Sequence, residues 1–137
     1  AALSDKLIRN AAEFDNYKKR TAREKEDFYK SAVCETVAPL LPVLDNLERA
    51  VAAAEDSGES GSVLDGVKMV KKQFEDALKS IGVEPIEAVG EQFDPEKHNA
   101  VMTADSDEDE NTVLEEFQKG YIYRDKVVRH SMVKVSN

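Results

Sequence analysis

Apolar side chains recur at helical spacing along the first 37 residues, but they are sparse. This segment contains no glycine and no proline, and such a composition favours a helix. We therefore predict one helix over residues 1–37, about 55 Å long at about 1.5 Å per residue. Its stripe is too thin for a large core, so it pairs with a second copy or is a lone helix stabilised by ion pairs. The apolar positions are Leu3, Leu7, Phe14, Tyr17 and Phe28, with the polar Asn10, Thr21 and Glu24 between them.

Two shorter amphipathic helices follow. Pro39 and Pro42 predict a kink or a new helix start, and the glycine-containing run 56–61 predicts a loop. We expect Ser62 to cap the next helix, with Asp65 completing a capping box, and Gly82 to end it. Because a hairpin of two such helices leaves an apolar face exposed, two hairpins from a dimer would close a four-helix bundle. The apolar faces comprise Val43, Leu44, Leu47, Ala50, Val51 and Ala54, then Val63, Val67, Val70, Phe74, Leu78 and Ile81.

The composition changes after Gly82, where alanine becomes rare and β-branched residues become common. Short extended runs are predicted as strands, with Arg124 and Asp125 as a tight hairpin turn. A β unit of this size is marginal alone, so we expect it to rest on the helices. The predicted fold is α+β: a long paired helix (1–38), two short bundle helices (39–82) and a small all-β domain (83–137). The predicted strands are 83–89, 100–102, 113–117, 121–123 and 126–135.

The predicted dimer has two sets of contacts. The long helix would contribute one seam, and the two short helices would contribute the bundle core. A homodimer is therefore the expected assembly. The predicted interface residues are Leu7, Phe14, Tyr17, Phe28, Leu44, Leu47, Phe74 and Leu78.

Charge and hydropathy exclude several classes of partner. The net charge is −9, and the one basic cluster, residues 18–20, is followed by acidic residues, which disfavours nucleic-acid binding. No run reaches the roughly 18 apolar residues of a membrane span, so no membrane partner is expected. A single cysteine, Cys34, fits a reducing compartment, and we predict a cytoplasmic protein. The chain starts at Ala1 rather than Met, which favours a processed chain or a fragment.

The charge is also divided within the C-terminal part. Residues 91–118 carry a net charge of −9 and residues 119–137 carry +4. Opposed patches of this kind orient protein partners. We therefore expect the basic residues of the tail to face a partner; they are Lys119, Arg124, Lys126, Arg129 and Lys134.

Signatures of catalysis are scarce. There is no glycine-rich phosphate loop and no nucleophile elbow. His98 with Asp94 could begin a metal or hydrolase site, but a third ligand is not evident, and a histidine bonded to a turn is the favoured alternative. Cys34 is expected to be a packed thiol, and the acidic run 105–111 a solvated loop, because it lacks the glycine of a calcium loop. We predict no enzyme activity, no catalytic residues, no metal and no cofactor.

Four ordered blocks of sequence resemble one known family. The C-terminal block comprises Phe93-Asp94-Pro95, His98, Ala100-Val101, Gly120-Tyr121, Asp125, Val128-Arg129, Ser131, Val133 and Val135. The others are residues 13–20, residues 40–50, and Gly82-Val83 with Pro85-Ile86. Together they closely resemble the GrpE family, the nucleotide exchange factors of DnaK-type chaperone ATPases.

The resemblance implies a dimer that binds the chaperone ATPase domain, opens its nucleotide cleft and promotes ADP release in protein folding and heat stress. It points to Phe117, Lys126 and Val135 on the β domain, and to Lys18 and Arg49 on the helices, as chaperone-binding residues. Phe117 and Val135 could instead be core residues of a small sheet. The alternative function is a structural coiled-coil adaptor without catalytic activity.

Overall fold

The computed structural model describes residues 2–137, and its N-terminal part is three helices. Helix α1 spans Ala2–Val37, α2 spans Leu41–Asp56 and α3 spans Ser62–Ile81. The predicted long helix is confirmed over residues 2–37, while Ala1 lies outside the described part. The described chain has no helix long and apolar enough to cross a membrane.

The two prolines join α1 to α2 without an extended linker. A 3-10 turn at Ala38–Leu40 contains Pro39, and Pro42 lies in the first turn of α2. A proline there removes a backbone donor that would have no partner in the helix anyway. The interruption expected from the prolines is therefore confirmed as a new helix start.

The ends of α3 show one wrong and one correct prediction. The cap of α3 is Gly61, and no side chain bonds the first turn; Ser62 is already helical, so the predicted capping box is wrong. Gly82 has a φ of 103° and its N–H donates to the Leu78 and Lys79 carbonyls. That conformation is the left-handed one in which glycine ends helices, as predicted.

Six strands form two three-stranded sheets. The first has the order β1-β4-β5 and is antiparallel throughout. In the second, of order β2-β6-β3, β2 runs parallel to β6 and β3 antiparallel to it. The strands are β1 Val83–Pro85, β2 His98–Ala104, β3 Val113–Gln118, β4 Tyr121–Tyr123, β5 Lys126–Arg129 and β6 Ser131–Ser136. Together with the helices, these sheets confirm the α+β class.

The last predicted strand is two strands that belong to different sheets. β5 pairs with β4, whereas β6 pairs with β2 and β3, and the chain changes sheets at His130. The prediction of one strand over 126–135 was wrong because an apolar run does not reveal which neighbour each half pairs with. The strand predicted over 83–89 is also shorter, ending at Pro85, whereas β2 is longer than its predicted 100–102. Arg124, with a φ of 55°, and Asp125 form the predicted turn between β4 and β5.

Two hydrophobic clusters hold the β unit, residues 83–137, which we call the head. The larger cluster joins helices to strands, so the head rests on the helices as expected. The smaller lies under the second sheet, with Phe93 packed against it. The buried members of the first are Cys34, Val37, Leu41, Leu44, Leu78, Val83, Tyr121 and Tyr123; those of the second are Ala88, Val113, Val133 and Val135.

Candidate functional site

A groove separates α2 from β3 and brings two of the predicted chaperone-binding residues together. Its volume is 320 Å³. Arg49 lies on its α2 side and Phe117 on its β3 side. Phe117 is 49% exposed. Among residues 2–137 the Arg49 guanidinium hydrogen-bonds Asn46 of its own helix, at 2.9 Å, and no other side chain. The α2–β3 groove, which we define by the lining residues Asp45, Glu48, Arg49, Ala52, Glu116, Phe117, Gln118 and Lys119, thus presents an aromatic ring beside an available cation.

A bidentate ion pair between Arg129 and Asp45 holds the two walls of the α2–β3 groove together. The Arg129 guanidinium donates to both carboxylate oxygens of Asp45, at 2.6 and 2.9 Å, and its Nε donates to the Lys119 carbonyl at 3.0 Å. Gln118 adds a bond to Asp45 at 3.3 Å. Bidentate arginine–carboxylate pairs constrain geometry as well as contributing energy. The head is therefore held to α2 in one orientation.

The lining of the α2–β3 groove includes the carboxylates of Glu48 and Glu116. Lys119 Nζ lies 3.4 Å from Glu48 Oε1. Burial raises the pKa of the Glu116 carboxyl, and a hydrogen bond from Ser131 and the charge of Lys119 oppose that rise. That same Glu48 Oε1 and the Oε2 of Glu116 are buried, and neither accepts a hydrogen bond from the residues that the structure describes. Lys119 is thus the cation that compensates this carboxylate pair.

A glycine lets the strands approach closely beside Glu116. The Gly120 N–H donates to Ser131 Oγ at 3.0 Å. A Cβ on Gly120 would lie 2.8 Å from the Arg129 carbonyl oxygen and closer still to Ser131. Only glycine fits this position without moving backbone.

The turn between β4 and β5 is attached to α1. Lys126 Nζ donates to Ser31 Oγ at 2.6 Å, and Lys30 donates to Asp125 at 2.8 Å. This bond raises the pKa of Lys30 and lowers that of Asp125. Lys126 is exposed at the turn, as predicted, but it contacts a helix of its own chain.

An arginine strengthens the same attachment. The Arg124 guanidinium lies over two tyrosine rings, 5.9 Å from the Tyr29 centroid and 5.1 Å from that of Tyr123. Because one ring belongs to α1 and the other to β4, this cation–π pair connects helix to head. The contacts of Arg124, Asp125 and Lys126 with α1 are called the turn latch below.

The structure separates the other two predicted chaperone-binding residues from the α2–β3 groove. Lys18 lies on the exposed part of α1, 5.5 Å from the ring of Phe14. Val135 is buried in the smaller cluster, as the alternative of a core role expected. Its contact with a chaperone stays a prediction without exposed surface to support it.

The predicted dimer residues fall into two groups. Leu7, Phe14, Tyr17 and Phe28 are all more than half exposed in the single chain, and Leu47 and Phe74 are half-buried. In contrast, Leu44 and Leu78 are 0% and 4% exposed because they pack in the chain's own larger cluster. We therefore restrict the predicted interface to the six residues that retain surface.

The residues considered as candidates for metal binding or catalysis are His98, Cys34 and the acidic run 105–111, and each has a structural explanation. His98 Nδ1 accepts the N–H of Asp94 at 3.0 Å, so the favoured alternative of a turn-bonded histidine is confirmed. Cys34 is buried, as expected, and burial raises its thiol pKa. The acidic run lies in the exposed loop between β2 and β3. Within residues 2–137 no group of three or more His, Cys, Asp or Glu residues is placed to hold a metal ion.

Sequence reasoning missed the ion pairs that orient the head. Arg129 and Asp45 are 84 residues apart, and Lys30 and Asp125 are 95 apart, so no local spacing pattern reveals them. The basic tail was predicted to face a partner. Within the chain, Lys119 pairs with Glu48, Arg129 with Asp45 and Lys134 with Glu115. Contact of these residues with a partner stays a prediction.

Fold and site define a class: an α+β protein with a long exposed helix and a small head fixed to a helical hairpin. The whole chain, residues 1–137, matches the sequence model of the GrpE family. It is 48% identical over 136 residues to the Protein GrpE of Lachnoclostridium phytofermentans, covering 98% of this chain and 61% of that protein.

Two further relatives agree. The Protein GrpE of Clostridium tetani is 50% identical over 137 residues, covering 99% of this chain and 66% of that protein. For Bacillus pumilus the identity is 48% over 133 residues, covering 96% and 72%. The chain belongs to the GrpE family, and it spans roughly two thirds of the length of these curated relatives.

Proposed function

We propose that this chain is a co-chaperone that binds the ATPase domain of a DnaK-type chaperone, opens its nucleotide cleft and promotes ADP release. Membership of the GrpE family supports this role. We also propose that it works in the cytoplasm, in protein folding and the heat-stress response, without catalysing a reaction itself. The observation that carries the proposal is the α2–β3 groove, which joins Phe117 and Arg49.

The α2–β3 groove has the composition of a protein-binding hot spot. Aromatic residues and arginine dominate the energetics of protein interfaces, and here Phe117 and Arg49 line one groove from two different elements. The Asp45–Arg129 pair holds those elements together before any partner arrives. Pre-organisation of this kind lowers the entropic cost of binding.

To open the nucleotide cleft of the ATPase domain, the co-chaperone must contact both sides of that cleft and remain rigid between the two contacts. The head is attached to α2 by Asp45–Arg129 and to α1 by the turn latch. Two attachments on different helices resist rotation of the head. We infer that the head presses on one lobe of the ATPase domain while the helices contact the rest, and that this geometry favours the open, nucleotide-free state over the closed state.

Lys126 has a specific place in this proposal. Its ammonium group is already bonded to Ser31, so contact with an acidic patch on the chaperone would share or replace that bond. We propose that Lys126 acts at the edge of the binding surface, and that Phe117 and Arg49 form its centre. Lys18 would contribute from α1, as the family resemblance implies.

The functional unit is proposed to be a homodimer. The long helix exposes Leu7, Phe14, Tyr17 and Phe28 along most of its length, and α3 exposes Val63, Met69 and Val70. Contiguous exposed apolar surface is typical of an interface. A second copy paired along α1 and across the α2–α3 hairpin would cover both sets.

The experiment measures release of labelled ADP from a DnaK-type chaperone while this protein is titrated. Phe117→Ala should need roughly ten times more protein for half-maximal release, because truncation of a hot-spot aromatic costs about 1–2 kcal/mol or more. The matched control is Val101→Ala, also 49% exposed but on β2 at the opposite edge of the same sheet.

Two outcomes would contradict the proposal. If the unaltered protein leaves ADP release unchanged at every concentration, the chain is not an exchange factor for that chaperone, and the alternative of a structural coiled-coil adaptor is favoured. If Phe117→Ala and Arg49→Ala both match the Val101→Ala control across the titration, the α2–β3 groove is not the binding surface.

A further inference from the structure

The outer edge of β2 has no strand partner among residues 2–137. β2 lies at one end of the sheet β2-β6-β3 and pairs only with β6. The backbone hydrogen bonds made outside regular elements do not involve residues 99–103. Such an edge presents N–H and C=O groups that can pair with another chain.

Both faces of this strand are open as well. Residues 99–103 are all exposed, and the apolar Val101 and Met102 are each about half exposed. Natural edge strands are usually protected by charges or proline. The five residues at 99–103 are Asn, Ala, Val, Met and Thr, so they include no charge and no proline, and the register shift at Val101 is the protective feature that this strand does have.

A bulge limits what can pair there. The register of β2 against β6 shifts between Ala100 and Met102, so Val101 is an extra residue. Bulges increase strand twist and bend the strand. A short extended segment can follow such an edge more easily than a second rigid sheet can.

The surroundings of the edge are strongly negative. The loop directly after β2 carries five carboxylates, Asp105, Asp107, Glu108, Asp109 and Glu110. Among the described residues none of them forms a salt bridge, and Asp105 only accepts an amide hydrogen bond from Asn137 at 2.8 Å. Asp94, Glu96 and Lys97 precede the strand, so this end carries a smaller net negative charge than the loop after β2. A second copy pairing antiparallel would bring these like charges together, whereas a cationic segment would be attracted.

We propose that the β2 edge binds an extended, lysine- or arginine-rich peptide segment of a partner protein by strand addition. Main-chain bonds to β2 supply affinity, Val101 and Met102 contact apolar side chains, and the loop at 105–110 selects cationic ones. The peptide edge lies opposite β3, which carries Phe117. The proposed peptide contact and the proposed chaperone contact therefore use different strands of the sheet.

The test uses fluorescence anisotropy with a labelled heptapeptide of alternating lysine and valine. Two control peptides accompany it: one with glutamate in place of lysine, and one with N-methylated valines, which cannot complete a strand ladder. Binding is expected for the first peptide alone, with at least a tenfold loss in each control. Amide shifts in ¹⁵N spectra should be confined to residues 98–110.

A matched pair of charge variants locates the selectivity. Asp107→Asn with Glu108→Gln should weaken the cationic peptide about fivefold, since each exposed ion pair contributes roughly 0.2–1 kcal/mol. Asp56→Asn with Glu59→Gln makes the same charge change at the exposed end of α2 and in the loop after it and should leave affinity unchanged.

Several results would overturn the proposal. Equal binding of the N-methylated peptide would show simple charge attraction, and equal effects of the two double variants would show a non-local field. If the lysine–valine peptide does not bind, or if it shifts the amide signals of residues 113–118 instead of 98–110, the β2 edge is not a peptide-binding site. Higher-order self-association that Val101→Lys abolishes would show that a second copy occupies it.

Discussion

Ion pairs occur both in the first part of α1 and where the head meets the helices, but they differ in sequence separation. In α1 the paired residues are near neighbours in sequence, whereas those that hold the head are far apart in sequence. Along α1, Asp15 and Lys19 pair one helical turn apart at 3.1 Å, and both are more than half exposed. Between α2 and the head, Asp45 and Arg129 pair at 2.6 Å with both side chains largely buried. Local pairs support one helix, whereas long-range pairs fix how separate elements sit. The chain thus has a helix whose apolar stripe remains open and a head that is fixed to its support.

Aromatic residues differ in the same way between the two regions. Phe14 and Phe28 on α1 are mostly exposed, whereas Tyr121 and Tyr123 of β4 are buried in the larger cluster. Burial together with the neighbouring Glu48 raises the pKa of the Tyr121 hydroxyl far above its usual value. The two tyrosines of β4 are covered within the single chain, while Phe14 and Phe28 on α1 are not.

The largest expected effect comes from core truncation. Leu41→Ala removes a fully buried side chain of the larger cluster and should lower the free energy of unfolding by about 2–5 kcal/mol. Urea denaturation measures this. Leu7→Ala on the exposed stripe is the comparison: a lone helix predicts a change below about 0.5 kcal/mol, and a helix covered by a second copy predicts more than about 1 kcal/mol.

An intermediate effect comes from the carboxylates of the two ion pairs. Asp45→Ala leaves Arg129 largely buried without its partner and should cost about 2–4 kcal/mol. Asp15→Ala breaks an exposed pair and should cost no more than about 0.5 kcal/mol. Equal losses in chemical denaturation would remove the distinction between a local pair and a pair that fixes the head.

The smallest effect is the pH dependence of the turn latch. Because Lys30 lowers the pKa of Asp125 in the folded chain, the unfolded chain binds more protons between the two pKa values. The Lys30–Asp125 pair of the latch therefore contributes its full stabilisation at pH values above 3.8, the ordinary pKa of an aspartate. This stabilisation is lost as the pH falls through the lower pKa that Asp125 has in the folded chain. NMR titration of the Asp125 carboxyl checks the direction; Lys30→Met should return its pKa towards 3.8, and an unchanged pKa would contradict the latch.

The features that could be predicted from the sequence are those determined by neighbouring residues. Helical spacing revealed α1, and a glycine revealed the end of α3, since both signals lie within a few neighbouring residues. The family resemblance pointed to Phe117 and Arg49. Sequence could not reveal that these two line one groove, because their proximity depends on the pair Asp45–Arg129 across 84 positions. The split of 126–135 into two strands was hidden for the same reason.

The α2–β3 groove as the chaperone-facing surface is tested most directly by hydrogen exchange of this protein with and without a DnaK-type ATPase domain. We predict protection of the backbone around Arg49 on α2 and around Phe117 on β3, with β2 exchanging as in the free protein. Protection confined to residues 2–29 of α1, or at β2 but not at β3, would contradict it.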